Sequence, residues 1–172
     1  MVFHDSCLER LTQKKGLITD KSTEFLKTVC LPNNECVPSL EKVLDYINGR
    51  VSIILEIKSS KKLKENIEKF SKGLQKKIQH YTGEIGLMSF DVEIIQFLKK
   101  LNFKKKVSFG LTTDFPTIEN KYEKLVNNEI YKQIMDLDLD FISQNWKGLK
   151  NKRINEIRDR GLVILCWTVK SQ

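Results

Sequence analysis

From Val51 onward the chain alternates strand-like and helix-like stretches, and this alternation limits its fold more than any other feature. Residues 51–57, Val-Ser-Ile-Ile-Leu-Glu-Ile, form a nearly continuous β-branched run, the composition of a strand buried on both faces. Leu63, Ile67, Phe70, Leu74 and Ile78 then recur at steps of three or four, which lines them along one stripe of a single long helix. Burying five such side chains contributes roughly 1.5–3 kcal/mol each, so this helix must dock on a core. Residues 84–90 read as the next strand, and Asp91 as the N-cap of a helix carrying Ile94, Ile95, Leu98 and Leu101. Residues 106–111 are again strand-like, and a helix after Pro116 carries Leu125, Ile130, Ile134 and Met135. A strand at 140–143, a helix around Ile154 and Ile157, and a buried strand at 162–169 complete the series.

Strand starts lie about 20 to 35 residues apart, the spacing of repeated βαβ units, so the sheet is expected to be parallel. An open doubly wound sheet and a closed (β/α) barrel share this pattern. The former usually carries a glycine-rich phosphate loop after its first strand, and no such loop is present. In a barrel, reactive residues sit at the C-terminal ends of strands. That rule selects His4 and Asp5, Glu56 and Lys58, Ser89 and Phe90, Gln144, and Trp167. Met1-Val-Phe-His4-Asp5 reads as the end of a strand, and the chain stops soon after another, so both termini read as cut. Between them a polar loop runs through Thr28. A Pro-Asn-Asn turn lies between Cys30 and Cys36, and Ser39 is placed to cap a helix over residues 40–48 that Gly49 ends.

At 172 residues, 40% apolar and 30% charged, the chain is ordinary for one domain with a sizeable core. The formal charge of +8 is spread over helix faces by Lys61, Lys62, Lys64, Lys69, Lys72, Lys76 and Lys77. No aromatic residues interleave with them as a stacking platform, so solvated faces are expected and nucleic acid is not a partner. The charge favours an anionic substrate. Cys7, Cys30, Cys36 and Cys166 show no CxxC pair or zinc spacing. A reducing, cytoplasmic compartment is the simpler expectation, although Cys30 and Cys36 could bridge across their turn. No apolar run is long enough to span a membrane.

Six short motifs occur in order: His4-Asp5-x-x-Leu8-x-Arg10-x-Thr12, Gly16-x-Ile18-x-Asp20, Val37-Pro38-Ser39-Leu40, Glu56-Ile57-Lys58, Ser89-Phe90-Asp91 and Trp167-Thr168-Val169. Together they resemble the glycerophosphodiester phosphodiesterase family across essentially the whole chain. The resemblance implies a (β/α)8 barrel of the TIM type, incomplete here, with about five of eight strands in a single domain truncated at both ends. It also implies a hydrolase that splits glycerophosphodiesters into glycerol 3-phosphate and an alcohol, helped by Ca2+ or Mg2+. By the same resemblance His4 is the catalytic acid/base, Glu56 a metal ligand and Lys58 a phosphate-binding cation. Phe90 and Trp167 are expected either to line the substrate pocket or to pack in the core, and Asp5 either to support His4 or to cap a turn.

The chemistry calls for these residue types. A cation and an ammonium offset charge building on phosphate, and imidazole protonates the leaving alkoxide at neutral pH. The family's His-Arg-Gly strand, with the other catalytic histidine, and two further metal carboxylates are absent from this sequence. His80, in a helix tail, does not replace them. One carboxylate would bind a divalent cation weakly at best. The expected partners are therefore a small glycerophosphodiester and a complementing fragment. The alternative is a non-catalytic remnant that binds phosphorylated head groups.

Overall fold

The computed structural model describes residues 1–170. Its contacts group into two compact units, the first Met1–Ser52 with Ser60–Glu84, the second Ile53–Ser59 with the chain from Ile85 on.

In the first unit the predicted polar loop contains a short helix, α1 (Thr23–Lys27), started by Ser22, whose hydroxyl accepts the Phe25 N–H. Helix α2 (Leu40–Ile47) forms as the sequence implies, with Ser39 accepting the Lys42 N–H. It ends one residue earlier than expected, because Asn48 itself takes the left-handed conformation (φ 49°) ahead of Gly49. The single long helix is in fact two, α3 (Lys61–Glu65) and α4 (Ile67–Ile78). They break at Asn66, whose side-chain amide donates to the Lys62 carbonyl at 2.9 Å and competes with the helical ladder. Leu74 and Ile78 are buried, whereas Leu63, Ile67 and Phe70 are half-buried. The seven lysines named above are all exposed, as solvated faces require.

The expected opening strand does not form; among the described residues no strand precedes Ile53. Instead the Val2 N–H reaches the Pro38 carbonyl at 2.9 Å. Met1 and Phe3 pack with Ile18 and Leu31 on a small core of Leu8, Leu26, Val29 and Val37. These few residues are held by packing on that core rather than by a ladder of strand hydrogen bonds.

The second unit holds five strands: β1 (Ile53–Glu56), β2 (Ile85–Ser89), β3 (Val107–Thr113), β4 (Phe141–Asn145) and β5 (Val163–Trp167). All neighbours are parallel and the spatial order follows the sequence, β1-β2-β3-β4-β5. A doubly wound sheet reverses its strand order at a switch point, and this sheet does not. It is an incomplete (β/α) barrel. Helix α5 (Val92–Lys99) lies on β2 and β3 and α7 (Lys152–Asp159) on β5, with α6 (Lys121–Asp136) between β3 and β4 in the chain. A full capping box at Asn120 and Glu123 starts α6.

Two expectations about burial fail together. The strand at 51–57 shortens to β1 and leaves Ile54 45% exposed, and the final strand leaves Val163 58% exposed. Both are edge strands, so each lacks a neighbour on one side. Their β-branched composition matches that of an inner strand, and only the pairing tells the two apart.

Candidate active site

Strand register places most of the sequence-selected residues of the second unit on one face of the sheet. Parallel partners share a face, and Glu56 pairs with Met88, Met88 with Gly110, Gly110 with Phe141, and Phe141 with Val163. Side chains alternate along each strand, so Thr112, Ser143, Leu165 and Trp167 look to the same side. One ring, that of Phe141 at the start of β4, covers part of this inner face. A Cβ added at Gly110 would lie 2.2 Å from Phe141 Cε2, and one at Gly86 3.3 Å from Phe141 Cε1. The two glycines let Phe141 lie flat across β2 and β3.

Beyond Phe141, at the C-terminal strand ends, the face becomes polar. Lys58 Nζ donates to Glu56 Oε1 at 2.7 Å, and both groups reach solvent. Phe90 and Trp167 meet edge to face at 5.7 Å between centroids. The Trp167 indole N–H donates to the Ser143 carbonyl at 3.0 Å, which fixes the ring. Thr112 lies on this face with its hydroxyl buried and, among the described residues, unpartnered.

Two residues selected by position turn out to be internal ties on the opposite face. Ser89 is fully buried, donates to the Ile57 carbonyl at 2.7 Å and accepts the Asp91 N–H at 3.1 Å. Gln144, also fully buried, accepts from Thr113 Oγ1 and the Phe115 N–H, and donates to the carbonyls of Phe115 and Asn145. With every polar atom engaged, Gln144 has nothing left to offer a substrate. Asp91 caps α5 by accepting the Glu93 N–H at 3.1 Å, as the sequence implies, and also accepts from Ser59 Oγ at 2.6 Å.

In the first unit His4 and Asp5 are joined directly, Nδ1 to Oδ1 at 2.6 Å. Arg10, which was not selected as a site residue, completes the group. Its Nε donates to Asp5 Oδ2 at 2.5 Å and its Nη2 to Oδ1 at 2.7 Å, a bidentate grip. Hydrogen bonds from Arg10, and then from His4, hold the Asp5 carboxyl well below the usual carboxylate range. The same pairing raises the Arg10 guanidinium above its ordinary value. The His4 side chain is 73% exposed, and among the described residues its Nε2 has no protein partner. The signal for Arg10 was its place in the His4-Asp5 motif, five residues after the aspartate.

A divalent cation such as calcium or magnesium needs six or more oxygen ligands. Among the described residues no three His, Cys, Asp or Glu side chains cluster, and one Glu56 oxygen already accepts from an ammonium. These residues do not by themselves make a cation cage. Among the described residues, no helix is long and apolar enough to cross a membrane.

Similarity to known proteins supports the same lineage. A phosphodiesterase from Oleispira antarctica, solved in complex with the product sn-glycerol-3-phosphate, superposes with a TM-score of 0.76 at 18% identity, covering 98% of this chain and 67% of that one. A glycerophosphodiester phosphodiesterase from Parabacteroides distasonis gives 0.68 at 17% identity, covering 98% and 65%. The chain thus spans about two thirds of their length, and at these identities they establish the fold. No curated protein matches in sequence. The family pattern itself matches from the first residue to the last, over residues 1–172. A barrel sheet with its polar residues gathered at the C-terminal strand ends fits that match, and the chain belongs to the glycerophosphoryl diester phosphodiesterase family.

Proposed function

We propose that the chain serves the hydrolysis of glycerophosphodiesters, such as glycerophosphocholine or glycerophosphoethanolamine, to glycerol 3-phosphate and an alcohol. The observation that carries this reading is the Arg10–Asp5–His4 relay. Asp5, ionised and clamped by Arg10, accepts from Nδ1 and fixes the ring, so Nε2 is the nitrogen presented outward. His4 gives its Nε2 proton to the alkoxide leaving phosphorus, and Asp5 holds the ring in place. The second unit, taken by itself, carries the family-motif residues Lys58, an ammonium suited to a non-bridging phosphate oxygen, and Phe90 and Trp167, an apolar pair suited to glycerol or alcohol carbons.

Calcium or magnesium, when bound, would neutralise charge on the phosphodiester, and Glu56 is the residue we assign to it. No three such donors cluster among the described residues, so the cation would need further oxygen ligands, and the partner we propose for them, and for the other catalytic histidine, is a complementing fragment. That same shortage favours a second reading, in which the chain binds phosphorylated head groups without turnover.

Release of glycerol 3-phosphate from glycerophosphocholine separates the two. Hydrolysis, with Ca2+ or Mg2+ and a chain supplying the other catalytic histidine, that falls about 10²–10⁴-fold in His4→Ala supports the first reading. Retained folding of the variant by circular dichroism, expected for so exposed a side chain, makes the loss interpretable. Binding of glycerol 3-phosphate without turnover under any of these conditions supports the second, and neither binding nor turnover contradicts both.

A further inference from the structure

Outside the site, one feature of the first unit points to chemistry that the hydrolase reading does not use. Cys30 and Cys36 are bridge partners in an antiparallel pairing. The hydrogen bonds flanking them run from the Leu31 N–H to the Glu35 carbonyl (2.8 Å) and from the Val37 N–H to the Val29 carbonyl (3.0 Å). Neither bond belongs to Cys30 or Cys36, so the cysteines form the non-hydrogen-bonded type of pair. In such a pair the Cα atoms stand about 4.5 Å apart with side chains on the same face. That separation falls inside the range a disulfide accepts, about 4.4–6.8 Å. Both thiols are free and exposed, while their neighbours Val29 and Val37 point the other way into the core with Leu8 and Leu26.

The turn between them is already ordered. The Asn34 N–H donates to the Leu31 carbonyl at 2.9 Å, Asn33 Oδ1 accepts the Glu35 N–H at 3.2 Å, and Asn34 takes a left-handed φ of 62°. Chain entropy that usually opposes ring closure has therefore been spent in folding the hairpin. Cys7, by contrast, is bridged to Leu17, and Cys166 lies on the edge strand β5. Both are exposed, so they report how an accessible thiol behaves without a cross-strand cysteine.

We propose that Cys30 and Cys36 are a thiol-oxidation site that closes reversibly into an intramolecular disulfide. A low-molecular-weight disulfide of the glutathione type is the oxidant. The thiolate of one cysteine attacks a sulfur of the oxidant, forming a mixed disulfide and expelling one glutathione thiolate. The second cysteine's thiolate attacks the protein sulfur of that mixed disulfide, forming the Cys30–Cys36 bond and expelling the other. Two electrons pass to the oxidant, and the two cysteine protons end on two glutathione thiols. The bond staples the hairpin whose Pro38 carbonyl accepts the Val2 N–H, just ahead of His4. The oxidation itself does not depend on whether the chain hydrolyses anything.

The test uses the whole chain equilibrated in buffers of varied oxidised-to-reduced glutathione ratio, acid-quenched, alkylated and digested with trypsin. Cleavage after Lys27 and Lys42 leaves both cysteines in one peptide, residues 28–42. The expected result is that peptide two hydrogens lighter and unalkylated, at ratios where oxidation of Cys7 and Cys166 is at least about tenfold less. In Cys36→Ser, Cys30 should then react only as Cys7 does. Separate glutathione adducts on Cys30 and Cys36, to the same extent as on Cys7 and Cys166, would overturn the proposal. So would thiols that stay reduced throughout. The wild-type peptide decides the matter even if the variant does not fold.

Discussion

The two faces of the five-stranded sheet solve different problems with the same backbone. On the outer face Leu87, Leu111 and Ile142 are essentially inaccessible, and α5 adds Ile94, Ile95 and Leu98 to the same core. Polar groups on that face, Ser89, Thr113 and Gln144, are tied to one another or to backbone. On the inner face Gly86 and Gly110 leave room for Phe141, Met88 and Leu165 share the face with Thr112 and Ser143, the edges expose Ile54 and Val163, and the strand ends carry Glu56, Lys58, Phe90 and Trp167. The difference teaches how burial is divided: fully buried hydrocarbon is concentrated on the outer face, and exposed side chains on the inner face and its strand ends.

The sharpest way to break this contrast is a matched pair of substitutions. Leu87→Ala should cost about 2–5 kcal/mol through the cavity it leaves, whereas Val163→Thr on the exposed edge should stay within about 0.5 kcal/mol. Urea unfolding midpoints at constant m-value measure both, and equal losses would erase the distinction. Gly110→Ala should cost about 1–3 kcal/mol, since its methyl meets the Phe141 ring. If so, Phe141→Leu should relieve part of the loss in the double variant, and simple additivity would show that the ring is not what the glycine accommodates. Lys58→Ala should leave stability nearly unchanged and weaken glycerol 3-phosphate binding about tenfold by calorimetry, the scale of one charge-assisted hydrogen bond. Unaltered binding would remove Lys58 from the site.

The smallest effect is expected in the first unit, at Asp5. Its folded pKa is depressed, so the contribution of its ionised form is fully present above the unfolded value near 4. That contribution is lost only as pH falls through the lower folded value. The Asp5 carboxyl carbon resonance should therefore show its own protonation step only well below pH 4, and a midpoint near 4 would mean that Arg10 does not grip it in solution.

Much of this architecture is readable from residue pattern, because parallel strands and amphipathic helices announce themselves by period. Residues 84–90, 106–111 and 140–143 correspond to β2, β3 and β4, and Ser39 and Asp91 are caps as their positions suggest. What escapes is whatever depends on neighbours remote in sequence. Edge and inner strands share a composition, so the exposure of Ile54 and Val163 is invisible until pairing is known. Gln144 looks available until Thr113 and Phe115 are seen to occupy it. Asn66 breaks the long helix through a bond its own side chain makes, and the first three residues lack the ladder that would make them a strand. Within the site, the Glu56–Lys58 spacing foretells their contact, since alternate residues share a face, while the Phe90–Trp167 contact requires the folded sheet.

The claim that head-group recognition belongs to the inner face is tested most directly by titrating isotope-labelled protein with glycerol 3-phosphate and following its amide and indole resonances. The account predicts saturable shifts at Lys58, Phe90 and the Trp167 indole N–H, with Leu87 and Leu111 unmoved. Shifts confined to the outer face, or none at ligand concentrations in the millimolar range, would contradict it.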